Sequence, residues 1–187
     1  MMLGPQIDAL GPDTQLVTLT AGGNDIGYVG DLFAMASRNK GGLISAAVAL
    51  FWKGAKPITE RNFSALDANL RTTLREIQRR SPKARIIVVT YPTILPTEGT
   101  CPALGIAAAQ ATLMRAVGET LAQVTRDAAQ SLGIAVVDIA ALSAGHDACS
   151  TTPWVNGIRP KSGAAFHPTL AGASATAHAI AEMLSEK

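Results

Sequence analysis

Two short stretches carry side chains that could do chemistry together. The first is Leu16-Val17-Thr18-Leu19-Thr20-Ala21-Gly22-Gly23-Asn24-Asp25. Glycines at 22 and 23 let a backbone turn sharply and come close to a ligand. An asparagine on such a turn can aim its side-chain amide at a developing oxyanion, a contribution of about 2.7–4 kcal/mol in a transition state. Taken alone, Gly-Gly-Asn-Asp reads first as an ordinary turn, because Asn and Asp tolerate left-handed backbone. The second stretch is Ala165-Phe166-His167-Pro168-Thr169-Leu170-Ala171-Gly172. A histidine fixed by the proline after it suits general-base work, although a half-buried histidine near a helix start is also common. An oxyanion donor and a base are two of the three parts of acyl transfer; the third is a nucleophile.

The elements that would position these residues alternate strand with helix. Residues 15–20 read as a strand that runs straight into the glycine turn. Residues 28–52 are apolar but broken by Gly41 and Gly42, which predicts two short helices. Ser64, with Asp67 three residues on, reads as an N-cap. Leu66, Leu70, Leu74 and Ile77 then recur at helical spacing up to Arg80, and Ser81-Pro82 stops the helix. Residues 85–90 contain Ile86-Ile87-Val88-Val89, a β-branched run of the kind found in strands buried on both faces. A Pro/Thr/Gly-rich loop spans 91–104. A long helix follows over about 106–132 and stops at Gly133. Residues 134–138 form a third strand, residues 146–166 an irregular loop, and Pro168 suits the first turn of a last helix that runs to about Ser185. This order predicts one α/β domain with a parallel sheet covered on both faces. Sites in such sheets form at the carboxyl ends of strands, where Asn24, Asp25, Tyr91 and His167 all fall.

The Gly22-Gly23-Asn24-Asp25 block after a strand, and the histidine block before the final helix, resemble those of the SGNH (GDSL-type) esterases and lipases, in particular the secreted bacterial branch. The resemblance starts near Gln6 and covers nearly the whole chain. It implies a three-layer flavodoxin-like sheet and hydrolysis of a carboxylic ester through a Ser–His acyl-enzyme. His167 would be the base and Asn24 the oxyanion donor, with Gly22 and Gly23 forming the turn. Asp25, Tyr91 and Trp154 would contact the substrate. For Trp154, ordinary packing and a wall of the acyl pocket are equally open. The Asp-x-x-His pattern common in the family is absent, since Ala164 stands three residues before His167. Some members use a backbone carbonyl in place of the carboxylate, and Ala164 or a neighbour would supply it; Asp138 and Asp147 are the runners-up. The Cys149-Ser150 and Pro153-Trp154 pairs also match that branch, in which the cysteines are bridged. This implies a Cys101–Cys149 disulfide framing the site, and two inert thiols is the other reading.

The family's Gly-Asp-Ser block and its following glycine block do not occur in these 187 residues. Ser150 and Ser162 are not presented by a strand-to-helix turn and are weak substitutes. The expectation is a single SGNH-like domain, truncated at its amino terminus and lacking the family's first two strands. Such a chain would be inactive by itself. The alternative is a non-catalytic binding or regulatory derivative, dimeric through the open sheet edge.

Composition narrows the rest. Apolar residues make up 48% and charged residues 16%, with a net charge of +2, so the chain is globular. The local cluster of Arg79, Arg80, Lys83 and Arg85 reads as a solvated helix end. With aromatics at only 4%, a nucleic-acid partner is not expected. No CxxC pair is present, and neither a metal nor a cofactor is expected. The partner expected is a small-molecule ester or lipid, with a homodimer possible. The start of the chain shows no signal peptide although the family is exported. The longest apolar run, residues 43–52, is about half a membrane span and reads as a helix that finishes the core rather than as a lid or acyl-chain surface.

Overall fold

The computed structural model describes residues 5–185; residues 1–4, part of the start in which no signal peptide was seen, and residues 186–187 lie outside it. The sheet has three strands in the order β1-β2-β3: β1 (Leu16–Leu19), β2 (Arg85–Val89) and β3 (Ala135–Val137). All pairing is parallel, with Thr18 opposite Ile87 and Ile87 opposite Ala135. The helices are α1 (Tyr28–Asn39), α2 (Gly42–Phe51), α3 (Phe63–Arg80), α4 (Ala108–Gln130), α5 (Ile139–Leu142) and α6 (Leu170–Ser185).

Strand alternation sorts the sheet into two faces. Val88 packs with Leu74 and Ile77 of α3 and Ala129 of α4. Ile87, Val89 and Val137 pack against Ala179, Ile180, Met183 and Leu184 of α6. The result is a three-layer α/β arrangement. The α3 stripe of Leu66, Leu70, Leu74 and Ile77 is buried, as its spacing predicts. On α4, Met114, Val117, Leu121 and Ala128 serve the same purpose.

Coverage is uneven. β2 is buried at Ile87, Val88 and Val89, whereas no residue of β1 is buried. Leu16 is 42% exposed, and Thr18 and Thr20 are exposed as well. By register Leu16 and Thr18 share the face on which α6 packs, yet α6 packs on β2 and β3. β1 therefore has a free hydrogen-bonding edge and one uncovered face among the described residues.

Several boundaries differ from the sequence reading, each for a local reason. α3 is capped by Asn62, whose side chain accepts from the Ala65 N–H at 2.9 Å, and Ser64 lies inside the helix. α6 begins at Leu170, because Pro168 is held in an antiparallel bridge with Val155. Thr169 supplies the cap, its Oγ1 accepting from Gly172 N–H at 3.1 Å. α5 was not anticipated; Asp138 caps it through Ala141 N–H. The basic cluster does sit at helix ends: Arg79 and Arg80 grip Glu76, and Arg85 bonds the carbonyls of Met183 and Leu184 at the end of α6. The largest difference is α2. Among its described side chains none is buried, so it does not finish the core.

Cys101 and Cys149 form a disulfide that closes a sequence separation of 48 residues. It joins the loop after β2 to the loop after α5. A bridge of this span contributes about 2–4 kcal/mol. Replacing both cysteines by serine should therefore lower the melting temperature by roughly 5–15 °C, read by calorimetry under non-reducing conditions. An unchanged melting temperature would mean that the loops are held without it.

Candidate active site

β1 delivers the chain into the turn at 22–25. Gly22 has φ of +99°, a conformation open to glycine, and a Cβ there would lie 2.5 Å from Leu66 Cδ1. At Gly23 the demand is close approach: a Cβ would lie 3.0 Å from the Tyr91 ring, and Gly23 N–H donates to Tyr91 Oη at 3.2 Å. That bond ties the end of β2 to the end of β1. The turn closes through Asp25 N–H to Gly22 O at 3.1 Å and Tyr28 N–H to Gly23 O at 2.8 Å. Asn24 and Asp25 are left exposed.

A buried ionic bracket holds the turn from beneath. The Arg61 side chain is 2% exposed and pairs with Asp31 at 2.7 Å. It also donates to the Ile26 carbonyl, beside the turn, and to the Lys56 carbonyl at 2.9 Å. Trp52 Nε1–H donates to the second oxygen of Asp31 at 2.7 Å. A buried guanidinium is tolerated because it is paired and bonded; only its Nε lacks a partner. Nothing in the sequence around Arg61 announced this role. The pair spans 30 residues and belongs to no short motif.

The histidine is held by its loop. Phe166 is 2% exposed, and at φ of +59° it is a non-glycine residue in left-handed backbone. Such a conformation costs of order 1–3 kcal/mol and persists where its surroundings demand it. Here the buried ring anchors the chain and His167 emerges at the surface. His167 O accepts from Asn156 N–H at 2.9 Å. The Asn156 side-chain amide bonds the carbonyls of Ser162 and Ala164 at 3.0 and 3.3 Å.

His167 Nδ1 lies 2.8 Å from the carbonyl oxygen of Ala165. Of the two readings, Ala164 or a neighbour, the ring meets the neighbour, Ala165, and not Ala164. The Ala164 oxygen instead accepts from His167 N–H at 3.3 Å and from Asn156, because the left-handed turn at Phe166 brings the carbonyl two residues back onto the ring. A carbonyl can only accept, so Nδ1 carries a proton, and in the neutral ring the lone pair is on Nε2. The arrangement equips the imidazole to take a proton without a carboxylate partner. Asp138 is engaged by Arg126 at 3.0 Å and Thr90 at 2.9 Å, and Asp147 by the Cys149 N–H at 2.8 Å.

The remaining candidates make local contacts. Trp154 stacks on His146, with centroids 4.4 Å apart and planes at 7°, and its carbonyl accepts from Thr169 N–H at 2.8 Å. Ser150 Oγ accepts from Thr152 N–H at 3.2 Å. A cavity of about 420 Å³ is lined by Asn24, Asp25, Trp52, Lys56 and Arg61. A second, of about 410 Å³, lies between α4 and the loops after β2 and β3, where Tyr91, Leu95, Glu119 and Asp138 line it. Tyr91 therefore connects the turn to the second cavity, while Asn24 opens into the first.

Burial pushes the Tyr91 hydroxyl above its ordinary pKa, with the Asp25 carboxylate adding to the rise and the Gly23 N–H opposing it. Burial raises Tyr28 further, with Glu119 adding. A raised tyrosine favours the neutral form in the folded state, so its contribution is present below the unfolded value of about 10 and is lost as pH rises beyond it. Stability to urea should therefore fall as pH rises above about 10, and Tyr28→Phe should remove most of that fall. An equal fall in the variant would trace the loss to other groups.

Residues 2–175 match the GDSL-like lipase/acylhydrolase family. The chain is 34% identical to Lipase 2 of Streptomyces coelicolor over an alignment of 166 residues that covers 82% of this chain and 54% of that protein. It is 30% identical to a lipase of Streptomyces rimosus over 173 residues, covering 92% of this chain and 61% of the other. The chain thus spans a little over half the length of these relatives. The crystal structure of phospholipase A1 from Streptomyces albidoflavus NA297 superposes with a TM-score of 0.73 at 26% identity, over 95% of this chain and 72% of that one.

Proposed function

The chain belongs to the GDSL-like lipase/acylhydrolase family, and we propose that it carries the base and the oxyanion donor of a carboxylic-ester hydrolase whose serine arrives on a strand paired to the free edge of β1. The observation that carries this reading is the His167 imidazole, with Nδ1 engaged by the Ala165 carbonyl at 2.8 Å and Nε2 left to accept a proton. In the proposed reaction Nε2 takes the serine Oγ proton as Oγ attacks the ester carbonyl. Asn24 donates to the oxygen that becomes negative. The imidazolium then protonates the departing alcohol, and water, activated by the same nitrogen, releases the acid from the acyl-enzyme.

The edge of β1, unpaired and uncovered among the described residues, supports the origin of the serine. An apolar parallel strand with an open edge is a template for another strand, and a turn at the carboxyl end of such a strand would lie beside the turn that holds Asn24. The disulfide suits an oxidising compartment, and so supports export. The same edge would also take β1 of a second copy, which is the route to a non-catalytic dimer.

The amino-terminal segment of the Streptomyces rimosus lipase, fused ahead of residue 1, should create p-nitrophenyl butyrate hydrolysis that the chain alone does not show. In that fusion Asn24→Ala should lower kcat roughly 100- to 1,000-fold, and His167→Ala should bring it to the level of the chain alone. Turnover that survives both substitutions would remove this mechanism. A stable dimer that the fusion does not disrupt would favour the binding-domain reading.

A further inference from the structure

α2 has the sequence of an interior helix and the exposure of a surface one. Its ten residues, Gly42–Phe51, contain no charged side chain. Leu43 is 91% exposed, Leu50 76% and Phe51 90%. An exposed apolar cluster of this kind marks a surface that meets something apolar. The surrounding charge says what. Between Asp31 and Glu60 there are four basic residues, Arg38, Lys40, Lys53 and Lys56, and no acidic one. All four are exposed, two before the helix and two after it.

We propose that α2 is a docking helix for an anionic phospholipid surface. Leu43, Leu50 and Phe51 would enter the acyl boundary while the four flanking cations meet the headgroup phosphates. At about 1.5 Å per residue the helix is about 15 Å long, half the thickness of a bilayer core, so it lies in the interface and does not cross it. Charge also decides against a second copy of the chain as the occupant: two such faces would bring like charges together, whereas an anionic surface complements them.

The helix is tied to the candidate site. Trp52, the residue after α2, bonds Asp31, which pairs with Arg61, which bonds the Ile26 carbonyl next to the 22–25 turn. Asn24, Trp52 and Lys56 line one cavity. A bilayer that holds α2 therefore lies beside Asn24, and ester bonds of its own lipids are the substrates met first. That consequence rests on the proposed ester-hydrolase function; the docking does not.

The test is co-sedimentation of the 187-residue chain with mixed phosphatidylcholine/phosphatidylglycerol vesicles and with phosphatidylcholine alone. The chain should partition onto the mixed vesicles. Leu50→Ser with Phe51→Ser should weaken this roughly tenfold or more, and Lys53→Gln with Lys56→Gln should abolish the preference for phosphatidylglycerol. Both variants change exposed residues, so their thermal unfolding should match the parent. Failure of the parent chain to bind mixed vesicles would overturn the proposal. So would equal binding by both variants, or a parent dimer that the Leu50/Phe51 variant turns into a monomer without any change in vesicle binding. Binding by a catalytically dead fusion would leave docking intact and remove the hydrolase reading. Hydrolysis of soluble ester by a fusion that ignores vesicles would do the reverse.

Discussion

A parallel strand cannot hydrogen-bond within itself, so every edge of a parallel sheet must be paired, covered or left to solvent. β1 is the strand on which this constraint bears hardest. One side pairs with β2 through the register from Leu16 to Leu19. Among the described residues the other side is free, and the face carrying Leu16 and Thr18 is uncovered. The same strand delivers Gly22, Gly23 and Asn24. The strand that positions the candidate oxyanion donor is thus also the one that invites a partner, and a partner strand would end beside that donor.

The candidate turn and the candidate histidine are held in place by different contacts. The turn at 22–25 rests on a buried salt bridge, a hydrogen bond from Gly23 to Tyr91 and a glycine packed on Leu66. The histidine rests on a loop fastened by a disulfide upstream, the bridge of Val155 with Pro168 and the buried ring of Phe166. On the proposed mechanism, a base oriented by a backbone carbonyl keeps its tautomer but gains less stabilisation of its charged form than a carboxylate would give. In return the orienting group is part of the loop itself, so a change in loop geometry moves base and partner together.

Much of the fold could be read from the chain because its signals are local. The β-branched run at 86–89, the stripe of Leu66, Leu70, Leu74 and Ile77, and Gly133 after the long helix each act within a few residues. The family was legible in the Gly-Gly-Asn-Asp and Phe-His-Pro blocks. What escaped was set by distant contacts or by backbone geometry. Arg61 and Asp31 meet only through the tertiary fold. Ala165 replaces Ala164 because Phe166 adopts a left-handed conformation that no composition rule predicts. α2 reads as a core helix because an apolar helix has the same sequence whether it is covered by protein or offered to another phase.

On the proposed mechanism this chain holds the base and the oxyanion donor while its own serines are not the nucleophile. A fluorophosphonate probe tests it directly, because it bonds only to a serine whose proton is drawn off by a base. The chain alone should carry no adduct on any serine that depends on His167 when its peptides are mapped by mass spectrometry. A His167-dependent adduct on Ser150, Ser162 or any other serine of these residues would contradict the account and identify the nucleophile within the chain.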